Sequence, residues 1–248
     1  MFAHIACRAL PLLIAVYTTV SHADGFIGGI QTKIQNYPAV ASLETSNGTV
    51  VCGGALVSTS VVVSAAQCLE YNDPADLYVR LGTSDYGSGG ERISIASYKI
   101  HEDFNCDTMA NDLVVIKLAK SIKKTKKVRT IKMPKKEPKA GKIGAIVGWN
   151  ANEQLAEAEA KIISTKACGS GQYAYRSDDL TASMLCAAPV DAQVCDAQPG
   201  TPLIIKRNLV GLVSWGYGCC GDKGHPVIYT EISKLRKWIK NTAKKLKN

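Results

Sequence analysis

Along most of the chain, apolar residues come in short runs rich in Val, Ile and Leu, interrupted by Gly, Asn, Asp or Pro. The clearest runs are 50–51, 55–57, 61–63, 77–81, 92–95, 113–118, 143–147, 203–205, 209–213 and 227–230. β-Branched residues in runs of this length suit a pleated, half-buried strand. Turn chemistry separates them at Asn47-Gly48, Asn72-Asp73-Pro74, 85–90 and 138–141. Many short strands with this punctuation predict an all-β antiparallel sandwich or barrel. The end of the chain has another period. Ile232, Leu235, Trp238, Ile239 and Leu246 recur at helical spacing with lysines between them, which predicts one amphipathic α-helix over 231–246. The Pro/Lys stretch at 132–142 predicts a linker between two halves.

With 46% hydrophobic and 21% charged residues among 248, a disordered or fibrous chain is excluded. Residues 10–20 form a mostly apolar run, with Arg8 before it and Ser21-His22-Ala23 after it. A run of that length is too short to span a bilayer and has the layout of a secretory leader. We therefore expect a signal peptide over 1–23, a secreted, extracellular product from 24–248 and no transmembrane segment. Of nine cysteines, Cys7 lies in the leader and eight remain. An even number in an exported chain points to disulfides. No histidine cluster stands beside a cysteine pair at zinc-ligand spacing, so neither a metal nor a cofactor is expected.

Charge is unevenly placed. The whole chain carries +9, but residues 117–142 hold twelve Lys/Arg and one acid, Glu137, and residues 231–247 hold seven and one. The rest of the mature chain is correspondingly acidic. Lys123, Lys124, Lys126 and Lys127 are the candidate contacts for a polyanion such as a sulfated glycan, the alternative being a solvated face. No aromatic-interleaved motif accompanies them, so nucleic acid is not expected as a partner. Asn47-Gly48-Thr49 is a candidate glycosylation site on a turn.

Six ordered motifs resemble the trypsin/chymotrypsin family of serine proteases. Phe26-Ile27-Gly28-Gly29 looks like the family's mature amino terminus. Cys52-Gly53-Gly54-Ala55-Leu56 and Val63-Ser64-Ala65-Ala66-Gln67-Cys68 look like the segment that carries its histidine. Asn111-Asp112-Leu113-Val114 looks like the segment of its aspartate, and Gly148-Trp149, 195–202 and Val213-Ser214-Trp215-Gly216 complete the order. The resemblance implies two six-stranded antiparallel β-barrels followed by the C-terminal helix, with an N-terminal barrel over 26–130 and a C-terminal barrel over 131–230. It also implies the disulfides Cys52–Cys68, Cys168–Cys186 and Cys195–Cys219, the first closing a loop worth ~3 kcal/mol in the chain-entropy model. Cys106 and Cys220 remain, and either pair across the cleft or are capped separately.

The chemistry at those positions departs from the family pattern. Catalysis needs a hydroxyl nucleophile, an imidazole to take its proton and a buried acid to orient the imidazole. Gln67 stands at the histidine position, and an amide is no general base near neutral pH. Pro199 stands at the serine position, where proline supplies neither a hydroxyl nor a backbone N–H for the oxyanion hole. Of the three, only Asp112 matches, left with nothing to orient. Ala197 and Gln198 stand directly ahead of Pro199, so the aspartate that in the family pairs with the new terminal ammonium is replaced by the neutral amide of Gln198. Gln193, before Cys195, leaves the specificity pocket without a carboxylate. No basic residue precedes Phe26 to mark an activation cleavage.

These substitutions together predict no enzymatic activity: a secreted serine protease homologue that acts by binding. They most resemble the inactivated protease paralogues of the scabies mite, relatives of the group 3 mite allergens, and that resemblance implies host proteins, complement components above all, as partners. A second expectation is a heparin- or anionic-surface-binding protein using residues 117–142. A third is a protease with residual activity, Thr201 or Ser64 acting as nucleophile with His101 or His225 as base.

Overall fold

Val61–Ser64 is buried at every position, and its alternation sends Val62 and Ser64 to one side and Val61 and Val63 to the other. Val62 joins a core of Leu43, Leu56, Leu77, Leu81 and Ile116, whereas Val61 and Val63 pack with Leu209, Leu212, Leu235 and Ile239. A strand with two apolar faces must lie between two layers, and that position organises the molecule. The computed structural model describes residues 29–173, 175–190, 197–216 and 226–246. The leader expected over 1–23 and the motif residues Phe26, Ile27 and Gly28 lie outside them, as do Gln193, Cys195, Cys219, Cys220 and His225.

In chain order the strands are β1 (Ile30–Gln31), β2 (Val40–Thr45), β3 (Val50–Ser58), β4 (Val61–Ser64), β5 (Leu77–Leu81), β6 (Glu91–Ile100) and β7 (Val114–Leu118). They continue as β8 (Ile143–Trp149), β9 (Leu155–Ile163), β10 (Met184–Pro189), β11 (Pro202–Ile205), β12 (Asn208–Trp215) and β13 (Val227–Glu231). The α-helices are α1 (Gln67–Glu70), α2 (Thr165–Cys168) and α3 (Ile232–Lys245). Antiparallel pairing closes β2-β3-β4-β7-β6-β5 into one barrel. A second six-stranded ring runs β8-β9-β10-β13-β12-β11 and returns to β8, so the expected double barrel is present. Closure removes the open strand edges that an all-β chain would otherwise expose.

β1 departs from the expected division at residue 130. Ile30 and Gln31 pair with Glu157 and Ala156 of β9, so the N-terminal segment crosses over and extends the second barrel's sheet. Ile34 and Val40 follow it into a shared core with Val147, Trp149 and Leu155. The connection at 119–142 has no strand or helix, as its Pro/Lys composition predicts, and α3 lays Ile232, Leu235 and Ile239 against both barrels.

The barrels also meet backbone to backbone. The Gly53 N–H donates to the Pro199 carbonyl at 2.8 Å, and a Cβ on Gly53 would stand 2.6 Å from the Thr201 Cα. Gly200 answers from the other side with φ of +77° and no room toward the Gly53 carbonyl. Both positions exclude a side chain. Two disulfides are present among the described residues, Cys52–Cys68 between β3 and α1 and Cys168–Cys186 between α2 and β10. Cys106 is also disulfide-bonded.

Candidate active site

The site is assembled at the junction of the barrels around Asp112, which lies two residues ahead of β7 and is wholly buried. A buried carboxylate must be saturated with donors or give up its charge. Asp112 Oδ2 accepts from Ser214 Oγ at 2.6 Å and from Gln67 Nε2 at 2.7 Å, and Oδ1 accepts from the Gln67 N–H at 3.0 Å. Burial pushes its carboxyl above the usual carboxylate range, against the opposing pull of hydrogen bonds from Ser214, Gln67 and the Ala66 backbone. Its backbone carbonyl accepts from Thr230 Oγ1 at 2.6 Å, which ties the segment to β13.

Gln67 opens α1 and is half-buried. Its amide nitrogen donates twice, to Asp112 and, at 2.8 Å, to the Ser214 backbone carbonyl. Both N–H bonds are therefore directed, one into each barrel, and the side chain is held in one orientation. Sequence reasoning leaves Asp112 without a role, but here it still positions the group at residue 67. What it positions is an amide, which stays neutral across the accessible pH range.

Pro199 lies on the same junction. Its carbonyl oxygen accepts the Gly53 N–H and sits 3.8 Å from Cys68 Sγ, next to Gln67 in the chain. Ala197, Gln198 and Pro199 are all partly exposed, and Gln198 Nε2 donates to the Val50 carbonyl at 3.3 Å. Residues 67, 112 and 199, brought forward from separate motifs, thus meet at one place. The pocket residue Gln193 lies outside the described residues.

The groups considered as replacements point elsewhere. Ser64 Oγ donates to the Gly53 carbonyl at 2.7 Å in a buried setting. Thr201 is buried beside Gly148. His101 turns its ring onto Trp238 of α3, with centroids 4.4 Å apart, and its Nδ1 accepts the Asp103 N–H at 3.2 Å. Burial lowers the His101 pKa, against the carboxylates of Glu102 and Asp103, which raise it. Thr230 and Ala66 are site residues that sequence reasoning missed. Thr230 is 118 residues from Asp112 and carries no local signal.

No group of three or more metal-ligating side chains occurs among the described residues. The polyanion candidates Lys123, Lys124, Lys126 and Lys127 are exposed on the inter-barrel connection, and Asn47 is exposed on the turn between β2 and β3.

Comparison with known proteins agrees with this geometry. The trypsin family model matches residues 26–239. The chain is 33% identical over 256 residues to a trypsin of Sarcophaga bullata, covering 99% of this chain and all of that one. It is 35% identical over 229 residues to trypsin alpha of Drosophila melanogaster, covering 89% and 88%. Among solved structures it is similar to neuropsin, a serine protease expressed in the limbic system of mouse brain. The TM-score is 0.77 at 28% identity, over 87% of this chain and 98% of that one. Double barrel, junction and ordered motifs together place the chain in the trypsin family of serine proteases.

Proposed function

We infer that this trypsin-family protein does not hydrolyse peptides and works by binding other proteins. The observation that supports this is the clamped Gln67 amide, held between Asp112 and the Ser214 carbonyl where the family mechanism needs an imidazole. A group that neither gains nor loses a proton cannot relay one. Pro199 adds to the loss, since it offers neither a nucleophile nor an N–H for an oxyanion. Loss of nucleophile or base alone removes about 10⁶ of turnover in a comparable triad enzyme, and here both positions are changed.

The surface remains built while the chemistry is absent, which suits a role in recognition. The disulfides point to an oxidising compartment, and with the leader they support secretion. The similarity of the substitutions to those of the inactivated mite paralogues makes host complement proteins the partner class. A serine-directed fluorophosphonate probe tests the catalytic half of the proposal, with no covalent label expected on the purified mature chain. Labelling abolished by heat denaturation would overturn it. A pull-down from serum tests the binding half. Recovery of complement recognition proteins is the expected result, and a bait that returns none refutes that partner.

A further inference from the structure

A second concave feature lies away from the Asp112 junction. The segment at 35–39, the inter-barrel connection at 126–132 and the turn between β11 and β12 enclose a crevice of about 1150 Å³. Its walls are tied together by backbone. The Arg129 N–H donates to the Pro38 carbonyl at 2.7 Å, and the Leu209 N–H donates to the Lys132 carbonyl at 2.9 Å. Five cations line it: Lys126, Arg129 and Lys132 from the connection, and Lys206 and Arg207 from the turn. All five are exposed, and none takes part in an ion pair among the described residues. The one acid in the lining, Glu157, accepts a hydrogen bond from the Tyr37 hydroxyl.

We propose that this crevice binds a sulfated linear glycan. Five uncompensated cations around one occupied carboxylate create a strongly positive, confined field. The volume far exceeds that of a single anion, so the ligand carries several sulfates along its length. Gln35 adds a neutral amide suited to sugar hydroxyls, and Asn36 and Asn208, whose nitrogens donate to Thr32 and to the Ile205 and Lys206 carbonyls, add their amide oxygens as acceptors. The exposed large apolar residues, Ile30, Tyr71, Tyr98, Ile143 and Val190, are all absent from this lining, which disfavours a lipid surface. The single aromatic in the lining, Tyr37, is engaged with Glu157, so there is no free stacking platform for bases. The inference is independent of whether the Asp112 junction is catalytic. It also redraws the site suggested by the lysine run, since Lys126 alone of Lys123, Lys124, Lys126 and Lys127 reaches the crevice.

The test is calorimetric titration of the full mature chain with a heparin-derived hexasaccharide at 0.15 M salt. Two triple variants that remove equal charge are compared, one in the crevice (Lys132→Gln, Lys206→Gln, Arg207→Gln) and one outside it (Lys123→Gln, Lys124→Gln, Lys127→Gln). The crevice variant is expected to bind at least roughly tenfold more weakly and the outer variant to change less than about threefold, because charge-assisted hydrogen bonds are local. Unchanged circular dichroism and melting temperature show that both variants fold. Equal losses in the two variants would reduce the effect to diffuse electrostatics and overturn the proposal. So would undiminished binding of the fully desulfated hexasaccharide, or tighter, crevice-dependent binding to vesicles of phosphatidylserine.

Discussion

Replacing Gln67 by Glu keeps the size of the side chain and turns its two-proton donor into an acceptor. In the native chain that nitrogen stands 2.7 Å from Asp112 Oδ2 and 2.8 Å from the Ser214 carbonyl. Two carboxylates at that separation repel by about 6 kcal/mol at an effective dielectric of 20. The alternative is for the pair to keep one proton. Holding a carboxyl protonated at pH 7, against an ordinary value near 4.3, costs about 4 kcal/mol. Proton sharing is therefore the cheaper route, and it also supplies the one donor that Asp112 needs. The Ser214 carbonyl still loses its partner, for about 1 kcal/mol. The folded pair then has a raised pKa and holds a proton that the unfolded glutamate releases, so stability must fall as pH rises above about 4.3. Urea denaturation of Q67E against the native chain, disulfides intact, should give a destabilisation of about 2 kcal/mol at pH 5 and about 5 kcal/mol at pH 7. The slope is that of one proton. A destabilisation under about 1 kcal/mol, or one flat between these pH values, would refute the clamped-amide geometry.

Gly53→Ala sets a methyl 2.6 Å from the Thr201 Cα, so the barrels must part locally; a loss of about 3 kcal/mol and a fall in Tm of roughly 6–12 °C are expected by calorimetry. The double variant Gln67→His with Pro199→Ser is expected to regain labelling by a fluorophosphonate, while each single variant stays unlabelled, because hydroxyl and imidazole act as a unit. His101 should titrate below 6.5 by NMR, since burial against Trp238 disfavours its charged form, and Trp238→Ala should return it toward 6.5. In the native chain the burial of a neutral His101 therefore becomes a cost as pH falls through 6.5, whereas the variant lacks that acid sensitivity.

The parts of the fold that sequence reasoning reads well are those built from β-branched residues. Runs at 61–63, 77–81 and 113–118 correspond to β4, β5 and β7. β9 escapes because its inward positions, Ala156, Ala158 and Ala160, are a strong helix former, although their alternation with Glu157 and Glu159 has the period of a strand. β3 reads as two pieces because Gly53 and Gly54 look like breakers. The first of them is instead where the chain must carry no side chain for the barrels to touch. β2, whose five buried positions include Ser42, and β10 leave no clear run either. At the site, the residues at 67, 112 and 199 are visible through their motifs, but the double donation by Gln67 is not, because the Ser214 carbonyl lies 147 residues away. The crevice is half visible for the same reason. Residues 117–142 announce their charge, yet only folding brings Lys206 and Arg207 beside Lys126 and Arg129.

Asp112 shows what a frame of this kind demands of its neighbours. A carboxylate with no exposure is a liability unless donors surround it, and losing one of its partners would ordinarily unfold a marginal domain. Ser214 and the Ala66 and Gln67 backbone supply three of the donors whatever side chain stands at 67. The fourth demand falls on residue 67 itself, which must donate toward both Asp112 and the Ser214 carbonyl. An alanine there would leave two buried acceptors short, and a glutamate would add a charge. Glutamine meets both demands with a single nitrogen and carries no titratable proton. On the reading proposed here, selection at residue 67 then acts on hydrogen-bond satisfaction alone. On that reading the position is free of the pKa that catalysis would impose.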